Sequence, residues 1–191
     1  MRVCVFCGSR TGTGDRYREA ARSLGHALAS RGVGLVYGGG SIGLMGVLAD
    51  AALAQGGEVI GVIPAFLNEL ELGHRGLAEL RVVRSMHERK AVMAELSDAF
   101  VALPGGFGTL DEFCEILTWG QLGLHAKPCA LLNADGFFDP LLSLFDHQVA
   151  EGFLSLKNRA LVWVEREPEA LVERLLALPA PPAPTPSYRE P

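Results

Sequence analysis

Apolar residues along this chain fall into short unbroken runs separated by stretches of helical periodicity. Val3 to Phe6, Val33 to Tyr37, Glu58 to Ile63, Leu80 to Val83, Ala99 to Leu103, Pro128 to Leu132 and Leu161 to Val164 read as strands. Between the first two, Asp15 to Ser30 carries Ala20, Ala21, Leu24, Ala27 and Leu28 at helical spacing. Leu44 to Gln55, Ser85 to Leu96, the segment from the turn after Leu103 to about Trp119, Pro140 to Glu151 and Glu169 to Leu176 read as further helices. Residues 65–78 read as irregular or partly helical. Strands without alternation are buried on both faces, which is the condition of a parallel sheet covered by helices. The pattern therefore predicts an α/β, doubly wound, mostly parallel, Rossmann-like sheet with helices on both faces. One domain is expected over residues 1–178, followed by a proline-rich, disordered or extended tail at 179–191.

Ligands of such sheets sit beyond the carboxyl ends of the strands. The glycine clusters fall there: Gly8, Gly38 to Gly40, and Gly105 to Gly108. Composition narrows the options. At 191 residues, 49% hydrophobic and 20% charged, the chain can bury a core without disulfide or metal staples. A net charge of −5 argues against a nucleic-acid surface but not against one small phosphate. No apolar run approaches the ~20 residues that span a bilayer. Met1-Arg-Val-Cys-Val-Phe enters a strand directly, with no signal peptide, so a cytoplasmic location is expected. Cys4-Val-Phe-Cys7 matches C-x-x-C, but Cys4 lies inside a strand and reads as core packing. Cys114 and Cys129 are isolated, so no metal pair is expected.

Three stretches carry candidate chemistry. Gly38-Gly-Gly-Ser-Ile-Gly43 formally satisfies the dinucleotide fingerprint, yet it follows the second strand rather than the first. Close backbone approach to a ligand or a neighbouring loop accounts for the same glycines. Ser85-Met-His-Glu-Arg-Lys90 opens a helix with a capping box, Ser85 to Glu88, and places Arg89 and Lys90 just inside it. The third stretch, Pro104-Gly-Gly-Phe-Gly-Thr-Leu-Asp-Glu112, joins a strand to a helix. Its glycines let N–H groups converge on an anion at the positive end of that helix. No lysine follows the last glycine, so it is not a nucleoside triphosphatase loop. Thr109 is placed to cap the helix, with Glu112 at capping-box spacing, and Asp111 and Glu112 in the first turn. Adjacent helical residues diverge by about 100°, so one acid can face solvent while the other enters a pocket. A carboxylate near a bound phosphate is repulsive unless a cation forms there, and a ribosyl oxocarbenium ion is such a cation.

Several motifs occur in order: Cys7-Gly-Ser9, Val36-Tyr-Gly-Gly-Gly40, Gly43-Leu-Met-Gly46, Met86-His-Glu-Arg-Lys90, the Pro104–Glu112 stretch, Thr118-Trp-Gly-Gln-Leu-Gly123 and Asn133-x-x-Gly136-Phe. Together, over about residues 2–178, they closely resemble the Lonely Guy family of cytokinin riboside 5′-monophosphate phosphoribohydrolases. The resemblance implies a homodimeric enzyme that hydrolyses AMP and N6-substituted AMPs to free base and ribose 5-phosphate, without metal or organic cofactor. It implies catalytic roles for Arg89 and Glu112. It implies substrate contacts for Ser9, Lys90, Gly105, Gly106, Phe107, Gly108, Thr109, Leu110, Asp111 and Thr118, and for Glu71 in a loosely aligned loop. Asp111 and Gly120 stand where the family has Glu and Ala. A label of lysine decarboxylase, also used for such proteins, predicts a cofactor-bound lysine, and neither Lys127 nor Lys157 sits in a suitable motif. Two other classes stay open: a non-hydrolytic carrier of nucleotide or molybdenum cofactor on the same fold, and a dinucleotide-dependent oxidoreductase.

Overall fold

A computed structural model describes residues 1–70 and 72–178. Seven parallel strands form one sheet: β1 (Arg2–Phe6), β2 (Gly34–Tyr37), β3 (Val59–Pro64), β4 (Glu79–Val83), β5 (Ala99–Ala102), β6 (Cys129–Leu132) and β7 (Val162–Glu165). Their order is β4-β3-β2-β1-β5-β6-β7. The chain builds outward from β1 on one side, crosses back, and builds outward on the other. The order reverses between β1 and β5, whose registers pair Val3 with Ala99 and Phe6 with Ala102.

The helices are α1 (Arg16–Ser30), α2 (Gly43–Ala54), α3 (Ala65–Glu69), α4 (Met86–Glu95), α5 (Phe107–Gln121), α6 (Asp139–Ala150), α7 (Leu156–Arg159) and α8 (Pro168–Leu176). Strand alternation splits the core into two layers. Val3, Val5, Val101 and Leu103 pack with Leu24 and Leu28 of α1, Leu48 of α2 and Leu171 of α8. Cys4, Phe6, Phe100 and Ala102 pack with Met93 of α4, Phe113 and Ile116 of α5 and Phe145 of α6. Cys4 and Cys7 are both buried free thiols, one in each layer, so the C-x-x-C spacing serves packing and not a disulfide.

The partly helical stretch at 65–78 resolves into α3 and a loop tied back to the β2 end. Ser41 N–H donates to Leu72 O at 2.9 Å, and His74 N–H donates to Gly39 O at 2.9 Å. His74 is buried, with Nε2 3.0 Å from Asp50 Oδ1 of α2. Two elements were unanticipated by periodicity. One is the 3₁₀ turn Ala134–Gly136; the other is α7, capped where Ser155 Oγ accepts from Asn158 N–H at 3.1 Å. Among the described residues no helix is long and apolar enough to cross a membrane. The tail expected at 179–191 lies outside the described residues.

Candidate active site

The loops after β1, β2, β3 and β5 enclose a cavity of about 390 Å³ at the carboxyl edge of the sheet. One end is a backbone cradle. The α5 helix begins at Phe107 with Gly106 as its cap and no side-chain capping bond. Its first N–H bonded within the helix is Leu110's, to Gly106 O at 3.2 Å. The N–H groups of Phe107, Gly108 and Thr109 are therefore the free donors of a helix N-terminus, and all three residues line the cavity with Gly106 and Ser9.

This geometry corrects the expected capping. Thr109 stands at the third helical position, buried, and its hydroxyl packs where a Cβ on Gly105 would lie. Asp111 and Glu112 consequently sit in the second turn of α5, and no acid occupies the first. The expected capping box at Ser85 forms only in half. Glu88 N–H donates to Ser85 Oγ at 3.1 Å, but the Glu88 carboxylate accepts from Arg84 N–H at 2.8 Å, one residue before the cap.

The middle of the cavity holds Arg89 and Glu112, each 8% exposed. Two strand-end carbonyls fix the guanidinium: Nε donates to Val62 O and Nη2 to Gly38 O, both at 3.1 Å. Nη1 lies 3.7 Å from Glu112 Oε1, a looser contact than either. Arg89 is thus held by β2 and β3 and does not depend on its acid. Burial pushes the Glu112 carboxyl above its ordinary range, and Arg89 opposes the shift without cancelling it. The glycines after β2 serve this arrangement. A Cβ on Gly38 would overlap Arg89 Nη2, and Gly43, at φ +64, would drive one into the Ser9 backbone. The dinucleotide fingerprint is therefore occupied by protein contacts. Ile42, Met45, Leu67 and Leu72 form the apolar far end. They were not anticipated: Ile42 and Leu72 are single apolar residues in loops, and Met45 of α2 and Leu67 of α3 carry no sequence signal that separates a pocket wall from core packing.

The remaining sequence candidates separate. Gly105 lines a neighbouring cavity. Lys90, Leu110, Asp111 and Thr118 are not in the walls of the Arg89–Glu112 cavity. Lys90 Nζ lies 3.2 Å from Asp111 Oδ2 and 3.0 Å from Glu115 Oε2, bridging α4 to the solvent side of α5. Burial works against the Lys90 charge, but Glu115 and Asp111 outweigh it and raise its pKa. Thr118 Oγ1 donates to Cys114 O at 2.8 Å and is exposed. Glu71 lies outside the described residues. Lys90→Met is expected to cost about 1–2 kcal/mol, below a fully buried ion pair because Asp111 is largely exposed. Urea denaturation measures this directly.

The sequence profile of a family described as "Possible lysine decarboxylase" matches residues 45–175. The cytokinin riboside 5′-monophosphate phosphoribohydrolase of Rhodococcoides fascians is 52% identical over 171 residues, 89% of this chain and 86% of that protein. Cytokinin riboside 5′-monophosphate phosphoribohydrolase LOG3 of Arabidopsis thaliana is 51% identical over 174 residues, 91% and 81% of the two chains. Among solved structures, the molybdenum cofactor carrier protein of Chlamydomonas reinhardtii superposes with a TM-score of 0.71 at 26% identity, covering 93% of this chain and 98% of that one. A cofactor-bound lysine finds no support in the geometry. Lys127 Nζ donates to Ala94 O at 2.8 Å and stands over the Phe100 ring, Lys90 is locked between acids, and Lys157 is exposed.

Proposed function

This chain belongs to the Lonely Guy family of cytokinin riboside 5′-monophosphate phosphoribohydrolases, and we propose that it hydrolyses the N-glycosidic bond of purine nucleoside 5′-monophosphates. AMP and N6-substituted AMPs are the substrate class; free base and ribose 5-phosphate are the products. One observation carries the reading: a cradle of free N–H groups and a buried carboxylate open into the same cavity.

In this reading the 5′-phosphate rests on the N–H groups of Phe107, Gly108 and Thr109, with Ser9 beside it. Anchoring the phosphate positions the ribose toward Glu112. As the C1′–N bond breaks, its electron pair leaves with the base, and positive charge grows on the ribose. The Glu112 carboxylate stabilises that charge and accepts a proton from the attacking water, whose oxygen bonds to C1′. The proton is then available to the departing base. Arg89 orients Glu112 and the ribose hydroxyls. Ile42, Met45, Leu67 and Leu72 receive the base. Lys90 acts indirectly, by holding α4 to α5. A homodimer in the cytoplasm completes the proposal; the three buried free thiols suit a reducing compartment.

The carrier reading has the superposed molybdenum cofactor carrier in its favour. The Arg89–Glu112 pair opening into the same cavity as the cradle supplies groups that bond cleavage needs and simple carriage does not, which favours hydrolysis. Incubation with AMP, GMP, CMP and isopentenyl-AMP, followed by chromatography, decides between them. Free adenine and isopentenyladenine are the expected products. Bound but intact nucleotide would support the carrier instead.

A further inference from the structure

The residues used above occupy one side of the glycine cradle. Its other side opens into a second cavity of about 340 Å³, close in size to the first at about 390 Å³. Both fall within the roughly 300–1,000 Å³ range of small-molecule sites. The second lies between the loops after β1, β5 and β6, at the reversal of strand order where open parallel sheets bind ligands.

The divide between the cavities is thin. They share Gly8, Ser9 and Gly106, and a Cβ on Gly106 would meet no atom within 4 Å. The far wall of the second cavity is aromatic. Tyr17 and Phe137 meet edge to face at 5.6 Å between centroids, and the Arg16 guanidinium lies 4.9 Å from the Tyr17 ring. Arg16 Nη1 is in turn 2.7 Å from Asp135 Oδ2. Asp135 holds a left-handed conformation, φ 53, unusual for a residue with a side chain. Asn133 fixes the turn: its Nδ2 donates to Asp139 Oδ1 and its Oδ1 accepts from Phe138 N–H, both at 2.7 Å. The Asn133-x-x-Gly136-Phe motif, which the hydrolysis leaves unused, thus builds the aromatic rim. Ser9, Arg10 and Thr11 line the same cavity.

A mononucleotide fills only one of these spaces. Two pockets of nucleoside size flanking one anion cradle match two nucleosides joined through their 5′ oxygens by a pyrophosphate. We propose that the double cavity binds such a 5′,5′-pyrophosphate-linked dinucleotide, one nucleoside toward Arg89 and the other against Tyr17 and Phe137. The first half of this placement rests on the proposed nucleotide site. The second half does not, and bound dinucleotide competes with AMP for the cradle.

The probe is diadenosine 5′,5′-pyrophosphate, with ADP as the control that has the pyrophosphate but one nucleoside. The dinucleotide should inhibit AMP hydrolysis competitively and bind about tenfold more tightly than ADP, the worth of one base–aromatic stack. Phe137→Ala and Tyr17→Ala should each bring it to the level of ADP while leaving kcat/KM for AMP unchanged. Equal inhibition by the two ligands, or tight dinucleotide binding that survives both substitutions, would overturn the inference. If AMP is not hydrolysed, calorimetry with the same two ligands and variants still decides this question, separately from the reaction.

Discussion

Glu112→Gln should lower kcat for AMP by about 10³-fold while leaving AMP affinity nearly unchanged. Glutamine has the same shape but can neither hold negative charge nor accept a proton from water. The pocket around it should persist, because Arg89 is anchored on Val62 O and Gly38 O and not on its acid. Calorimetry for binding and chromatography for released adenine separate the two effects, and a variant that turns over like the wild type would remove Glu112 from the chemistry. The same substitution makes an opposite prediction for stability. Burial raises the folded-state pKa of Glu112, so the protonated form is the one the fold favours. Its contribution is fully present below the unfolded pKa and is lost as pH rises through the folded value. Glu112→Gln should therefore melt above the wild type at neutral pH, and the advantage should fade as both approach the acid range. The acid limb of the wild-type activity profile should likewise lie above the ordinary carboxylate range, and it should be absent from any residual activity of the variant. A rise in stability joined to a loss of turnover is what a strained catalytic acid produces and a purely structural one does not.

Most strands were readable from sequence because both faces of the central sheet are covered, so each became an apolar run; the edge strand β4, with Arg81 and Val82 exposed, is the exception. The strand after Leu161 reaches Glu165, beyond the apolar residues, because Glu165 O accepts from Asn133 N–H at 2.7 Å. The start of α5 was misplaced for a physical reason. Thr109-x-x-Glu112 fits a pattern in which a helix satisfies its own first donors, whereas this helix leaves them open and starts earlier, at Phe107. The family resemblance singled out Arg89, but its anchors, 27 and 51 residues away, could not be read from the sequence. The resemblance gave Arg89 a catalytic role and Lys90 a substrate contact at one site. Being adjacent on α4 they diverge, one to the strand ends and the other to Asp111 and Glu115. Asp111 and Glu112 diverge in the same way on α5, so two cation–acid pairings lie side by side and only one opens into the cavity.

The neighbouring glycines of the cradle offer the second large effect, and they should respond in opposite ways. Gly105→Ala would set a Cβ against the Thr109 side chain and 2.9 Å from Gly8 N, where the β1 and β5 loops touch. Backbone cannot yield there cheaply, so a loss of about 1–3 kcal/mol in stability is expected. Gly106→Ala meets nothing within 4 Å, and its φ of −98 is open to any residue. Its stability should fall by no more than about 1 kcal/mol, the cost of replacing glycine by the poorer N-cap alanine. No contact within the protein bars a side chain at 106, and the space over it is open to a ligand. A methyl group there should push the phosphate off the free N–H groups and displace the ribose from Glu112, a misplacement worth about 10²-fold in kcat/KM. Melting curves and kinetics on the two variants give the comparison. An unchanged kcat/KM in Gly106→Ala would mean that the phosphate is gripped elsewhere, and the reaction geometry built on this helix end would fall with it.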